Sequence, residues 1–135
     1  MANILHLRPQ PTPQAVVDEH LDALNRSDWD RLMAQYPAEV KIFLPGGMLL
    51  SGRQKVGEAF RGMVAPFEEG GLSGVTFTAE HTSVVGDTVS VQWRVDAPFL
   101  REPYRGADAY VTSNGLLAAQ VSTFDMQALR SLRDA

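Results

Sequence analysis

The chain has 135 residues, 44% of them apolar and 21% charged, a balance that fits one globular domain and excludes a disordered or fibrous chain. A net charge of −4 with no basic cluster argues against nucleic acid or an anionic membrane as the main partner. The absence of cysteine removes disulfides, thiolate nucleophiles and thiolate metal sites.

In chain order, residues 1–11 read as an arm, with Pro9 and Pro11 breaking any helix, and 12–135 as one domain. The arm lacks the charged start and apolar run of a signal peptide, and no stretch approaches the roughly 20 apolar residues of a spanning helix. A cytoplasmic protein is therefore expected. Thr12 as N-cap and Pro13 at the first helical position open a helix over 12–26, with Val16, Val17, His20, Leu21, Ala23 and Leu24 on one side. Ser27 with Asp30 forms a capping-box-like start for a helix over 29–35. Residues 40–44 are apolar and β-favouring, and Pro45-Gly46-Gly47 turns the chain into a strand at 48–50. Ser51 and Gln54 repeat the capping pattern before a helix over 53–66, with Val56, Ala59, Phe60 and Met63 at helical spacing.

After the loop Glu68–Gly71 the period becomes two. Val75, Phe77 and Ala79 alternate with polar residues, Gly86-Asp87 turns, and Val89, Val91, Trp93 and Val95 alternate with Ser90, Gln92 and Arg94. Residues 98–103 are an irregular connection. Strands follow over 104–112 and 116–124, joined at Asn114-Gly115, and Asp125 caps a helix over 126–132. Helices first and a meandering sheet after give an α+β class. Four apolar residues on one strand face require cover, so Val89, Val91, Trp93 and Val95 should face the helices over 12–26 and 53–66. The outer face of the last strands is small and mixed, which suits either solvent or a second sheet.

Two helices, a hairpin and a third helix in this order carry specific text: Ala-Leu-Asn-x-x-Asp-Trp-Asp-x-Leu at 23–32, Tyr36-Pro37-x-x-Val40, Leu44-Pro45-Gly46-Gly47 and Gly52-Arg53. This text resembles the SnoaL-like members of the nuclear transport factor 2-like and ketosteroid isomerase-like superfamily. The resemblance implies a cystatin-like α+β barrel, a cone-shaped curved antiparallel sheet with three helices of the N-terminal half on its concave face and one deep pocket. It also implies a homodimer built on the sheet's outer face.

Asp108 is the first candidate for chemistry, because an acid mid-strand between Ala107, Ala109 and Tyr110 is unusual. Sharing a face with Tyr104 and Tyr110, it should point inward, where desolvation raises its pKa and suits a general acid or a poised base. In SnoaL-like cyclases the resemblance puts an acid/base aspartate here, and in ketosteroid isomerases a neutral carboxylic acid of the oxyanion hole. The plainer reading is an aspartate that bonds a buried donor. His20, within the apolar helix face, matches the resemblance's oxyanion tyrosine, and is otherwise a satisfied core histidine. An Asp108–His20 hydrogen bond, direct or through one water, is the expected catalytic dyad. Tyr104, Tyr110, Trp93, Phe60, Phe43 and Tyr36 are the expected substrate-binding residues.

Two departures limit the carry-over. The isomerase base precedes the turn proline, and Leu44 stands there, which cannot take a proton. Superfamily epoxide hydrolases pair arginine and aspartate two apart on a strand, whereas Arg105 and Asp108 are three apart and point oppositely. Glu80 and His81 diverge on one strand, Gln92 and Arg94 belong to the outer face, and His6 lies in the arm. The scattered histidines give no metal pattern and no dinucleotide fingerprint occurs, so no cofactor is expected. Two functions remain open: a cofactor-independent cyclase, isomerase or dehydratase working by acid–base chemistry on a small apolar carbonyl compound, or a non-catalytic domain that binds a small molecule or serves assembly.

Overall fold

The computed structural model describes residues 6–133. Helix α1, Pro13–Asn25, begins where Thr12 accepts a hydrogen bond from the Ala15 N–H at 3.1 Å. Its inward stripe is Val16, Val17, His20, Leu21 and Ala23. Helix α2, Trp29–Met33, is capped by Asp28, which accepts from the Arg31 N–H at 3.1 Å. Ser27, expected as that cap, instead takes a left-handed conformation at φ 51°, closing α1 and moving the cap one residue on. Short of the expected Gln35, α2 ends where Arg53 donates to the Met33 and Tyr36 carbonyls, each at 3.1 Å.

Strands β1, Lys41–Leu44, and β2, Met48–Ser51, flank a 3-10 turn at Pro45–Gly47. Helix α3, Arg53–Met63, starts from Gly52 without a side-chain cap. Ser51 remains in β2 and accepts from Lys41 Nζ, so the expected Ser51–Gln54 cap does not form. Strands β3, Thr76–Val85, β4, Thr88–Asp96, β5, Tyr104–Ser113, and β6, Leu116–Ser122, form the meander, and Asp125 caps α4, Met126–Arg130. At the β5–β6 turn Asn114 and Gly115 both have positive φ, 53° and 80°, the pair of conformations that the Asn-Gly text supplies cheaply.

The six strands run β2-β1-β6-β5-β4-β3 in one sheet. Every neighbouring pair is antiparallel except β1–β6, which is parallel. The expected antiparallel sheet is thus a curved mixed one, because the hairpin β1–β2 reaches the meander through β1. Register shifts at Ala79/His81 and Val111/Thr112 add local bend and twist. Val89, Val91, Trp93 and Val95 are buried as the alternation required. Helix α1 covers β3, β4 and β5, whereas α3 packs on α2 and β2. Arg8 and Gln10 of the arm are pinned, since the Arg8 N–H donates to the Ala34 carbonyl and the Gln10 N–H to that of Gly115. Among the described residues no helix is long and apolar enough to cross a membrane.

Candidate functional site

Between α1, α3, the β1–β2 hairpin and the inner face of the sheet lies a cavity of about 500 Å³. Leu21, Leu24, Ala59, Phe60 and Met63 form its helical wall, and Ile42, Leu44, Leu50, Phe77 and Trp93 line it from the sheet. Pro45, Gly46 and Met48 border it from the hairpin, and Phe124, Asp125 and Met126 from the end of the sheet. Its polar members are His20, Asp108, Tyr110, Gln120, Ser122 and Asp125, and neither Lys nor Arg lines it among the described residues.

Strand register gathers the polar floor. Asp108 lies opposite Ser122 and Tyr110 opposite Gln120 across the β5–β6 pair, while Trp93 lies opposite Gly106 across β4–β5. With side chains alternating at period two, these five groups share the inner face. Asp108 Oδ1 accepts from Trp93 Nε1 at 3.0 Å and from Ser122 Oγ at 2.8 Å. Its Oδ2 accepts from the Tyr110 hydroxyl at 3.0 Å and from Gln120 Nε2 at 3.1 Å. Gly106 makes room for this arrangement: a Cβ there would stand 2.6 Å from the Trp93 ring and 2.7 Å from Thr123 Oγ1.

Burial pushes the Asp108 carboxyl above its ordinary value, and the hydrogen bonds from Trp93, Ser122, Tyr110 and Gln120 oppose that rise. The Tyr110 hydroxyl is driven well up, by burial first and the Asp108 charge second, so it keeps its proton as a donor. His20 is 1% exposed, and burial lowers its pKa from 6.5 to about 4, opposed by the Gln35 side chain. The ring is therefore neutral at pH 7.

The structure brings His20 and Asp108 to one cavity, as the sequence suggested, yet none of the described hydrogen bonds joins them. Tyr110 links the two regions, with its ring centroid 5.3 Å from that of His20 and its hydroxyl on Asp108. The His20 Nδ1 atom meets the Tyr36 hydroxyl at 3.4 Å. Of the six expected substrate-binding residues, Tyr110, Trp93 and Phe60 line the cavity. Tyr36 does not; fully buried, it packs behind His20 and stacks on Phe60. Tyr104 backs Trp93 and Phe124 instead, its hydroxyl accepting from the Asp125 N–H at 3.0 Å. Phe43 is 43% exposed on the outer face, because β1 alternation sends Ile42 and Leu44 inward.

Sequence reasoning missed Gln120 and Ser122, although two polar residues at period two in an apolar final strand were a usable signal. Leu44 lines the cavity, so the position before the turn proline presents only carbon to it. Arg105 turns outward, as its spacing from Asp108 implied, and donates to Glu80 at 3.0 Å. Glu80, at the β3 register shift, also accepts from Arg94, while His81 and His6 are exposed. Among the described residues no three His, Cys, Asp or Glu side chains cluster as a metal would need.

The SnoaL-like domain family matches residues 17–120. No curated protein matches the sequence at a significant level. A candidate ketosteroid isomerase from Kribbella flavida superposes with a TM-score of 0.68 at 17% identity, over 84% of this chain and 77% of that one. A candidate SnoaL-like polyketide cyclase from Shewanella denitrificans gives 0.66 at 15% identity, over 91% and 97%. An LEH-like epoxide hydrolase from Mycobacterium tuberculosis gives 0.64 at 17% identity, over 86% and 84%. At such identities the likeness is one of fold.

Proposed function

This chain belongs to the SnoaL-like domain family, and we propose that it is a cofactor-independent cyclase, isomerase or dehydratase acting on a small, largely apolar carbonyl compound. One observation supports this most: a carboxylate with four hydrogen-bonded partners at the floor of an otherwise apolar cavity. Desolvation raises its proton affinity, which suits reversible uptake of a proton from carbon. Its four donors hold the carboxylate in one orientation, and Oδ2 takes the proton once the Tyr110 hydroxyl leaves it. In this mechanism Asp108 removes a proton next to the carbonyl and returns it elsewhere on the same molecule. His20, neutral at pH 7, serves as the second proton-handling group, and Tyr110 turns its hydroxyl toward the enolate oxygen as Asp108 becomes protonated.

The fold relatives include proteins described as isomerase, cyclase and epoxide hydrolase, and two residues narrow that range here. Leu44 argues against an isomerase whose base precedes the turn proline. Arg105, paired outside with Glu80, argues against hydrolysis through an arginine–aspartate pair in the cavity. The test is a screen of enolisable carbonyl compounds followed by Asp108→Asn on whichever is turned over. A loss of roughly 10²–10⁴-fold is expected, and unchanged turnover would reject the mechanism.

Leu44 and the full set of partners on Asp108 favour a second reading, a domain that binds a small molecule without transforming it. Binding with no turnover across the screen selects that reading. In both, the partner surface proposed is a second copy of the chain. Leu49, Phe43, Val121 and Ala109 align across β2, β1, β6 and β5 on the outer face, with Val111 beside them. Phe43, Leu49, Val111 and Val121 are all exposed there, a patch suited to burial. Light scattering at micromolar concentration should give twice the chain mass, and a monomer mass counts against the dimer.

A further inference from the structure

The lining of the cavity divides by solvent exposure. His20, Phe60, Trp93, Asp108, Tyr110 and Ser122 are buried at its inner end, whereas Pro45, Gly46, Met48 and Asp125 are exposed and mark its mouth. The opening therefore lies between the β1–β2 hairpin and the start of α4. Methionine frames it. Of the five methionines in the chain, three line this one cavity, each from a different element: Met48 opens β2, Met63 ends α3 and Met126 opens α4. Met48 lies opposite Leu44 in the hairpin, and so shares the cavity face with it while Phe43 and Leu49 face outward. Met48 is 58% exposed and Met63 and Met126 are half-buried, whereas Met33 is 3% exposed in the core against Gly57. With no cysteine in the chain, thioethers are its only sulfur.

We propose that Met48 is an oxidation site at the mouth, where hydrogen peroxide converts its thioether to a sulfoxide and so weakens the binding of apolar molecules in the cavity. This rests on the reading that the cavity holds a small molecule, and it adds a control on that same site. In the step the sulfur lone pair attacks one peroxide oxygen, and an S–O bond forms as the O–O bond breaks. The departing hydroxide takes the proton of the transferred hydroxyl and leaves as water, so sulfur gives up two electrons and peroxide is reduced. A thioether is apolar and pliant and packs well on a ligand. A sulfoxide carries a strong acceptor oxygen, which solvent satisfies while the mouth is open. A bound molecule covers that oxygen. Among the described residues, the side chains around the mouth are Pro45, Met48, Met63, Phe124, Asp125 and Met126, and none is a donor to an uncharged acceptor. The sulfoxide oxygen is then buried without a partner, which opposes binding. A methionine sulfoxide reductase reverses the change.

The test uses the whole chain labelled with carbon-13 at its methionine and isoleucine methyls, titrated with N-phenyl-1-naphthylamine, a neutral apolar probe, before and after hydrogen peroxide. Movement of the Ile42 methyl signal, inside the cavity, places the probe there. Peroxide should convert the Met48 methyl signal to that of a sulfoxide first and leave Met33 unchanged in the folded protein. The oxidised protein should bind the probe about tenfold more weakly, and methionine sulfoxide reductase with dithiothreitol should restore the original affinity. Met48→Leu, compared with its own untreated form, should lose most of the peroxide effect. Met48→Gln, a permanent polar stand-in for the sulfoxide, should bind as weakly as the oxidised protein with no peroxide added. The assignment is overturned by a peroxide effect that survives in Met48→Leu, by oxidation of Met33 ahead of Met48, or by an affinity that the reductase fails to restore. Parent-like affinity in Met48→Gln counts against it equally. If the probe leaves the Ile42 methyl of the untreated protein unmoved, the small-molecule reading falls as well, whereas binding that peroxide does not alter defeats this proposal alone.

Discussion

Asp108 and His20 lie in one cavity and look alike in sequence, each a titratable residue set among apolar neighbours. Their surroundings differ. Asp108 has four donors within 3.1 Å, all from three consecutive strands whose register brings them together. His20 has a loose contact of 3.4 Å to Tyr36, the Gln35 side chain, and the rings of Tyr36, Phe60 and Tyr110 around it. Burial pushes both toward their neutral forms, but only at Asp108 do hydrogen bonds to the charged form oppose it on every side. The difference separates a positioned group from an enclosed one. Burial alone would have ranked them equal.

Replacing Asp108 by Leu is the hardest test of this contrast. It strands four buried donors and should cost about 3–5 kcal/mol in chemical denaturation. A loss as small as that of His20→Phe at pH 7 would erase the distinction. The next largest effect is a pH dependence. The folded His20 titrates at about 4 and the unfolded one near 6.5, so the unfolded chain takes up its proton first as pH falls. Stability from His20 is complete above pH 6.5 and lost between there and pH 4, about 3 kcal/mol in all. Asp108, raised from 3.8, acts in the opposite sense, its contribution fading as pH rises through its folded value. Comparing unfolding of the parent with His20→Phe across this window isolates the histidine, and parallel curves would contradict its depressed pKa.

Gly106→Ala should cost about 1–3 kcal/mol, because the new methyl must displace the Trp93 ring from its seat beside Asp108. Altered Trp93 fluorescence should accompany that loss; an unchanged spectrum with unchanged stability would mean the ring is not held there. Ser122→Ala removes one donor of four and leaves the Phe124 N–H without its acceptor, a loss of about 1 kcal/mol. The smallest effect belongs to the outer face. Val121→Lys should change stability by less than about 0.5 kcal/mol, yet abolish the proposed dimer in sedimentation.

Period and punctuation made most of the fold legible. Thr12-Pro13, Asn114-Gly115 and the alternation of Val89 through Val95 each have a local physical cause, and each formed the expected element. Ser27 and Ser51 misled because a cap depends on where the preceding element stops, which a neighbouring strand or turn decides. The parallel β1–β6 contact was invisible for a related reason: no local signal says which strand a hairpin will join. At the site, Asp108 announced itself by its neighbours on the strand. Gln120 and Ser122 did not, because their meaning comes from register with another strand. Phe43 and Tyr36 show the limit of reading aromatics as lining, since one faces outward and the other sits a layer too deep.

The parallel contact also governs the order of assembly. Strands β3 to β6 follow one another in the chain, joined by two tight turns and the connection over 97–103, so Trp93, Asp108, Tyr110, Gln120 and Ser122 can meet by pairing of sequence neighbours. Strand β1 must close a long loop before it reaches β6, and such closure is slow relative to hairpin formation. Pulse-labelled hydrogen exchange should therefore find the amides of β4 to β6 protected before those of β1. The carboxylate and its donors would then be in place on an open sheet, with the hairpin that carries Leu44 and Met48 arriving last to enclose them.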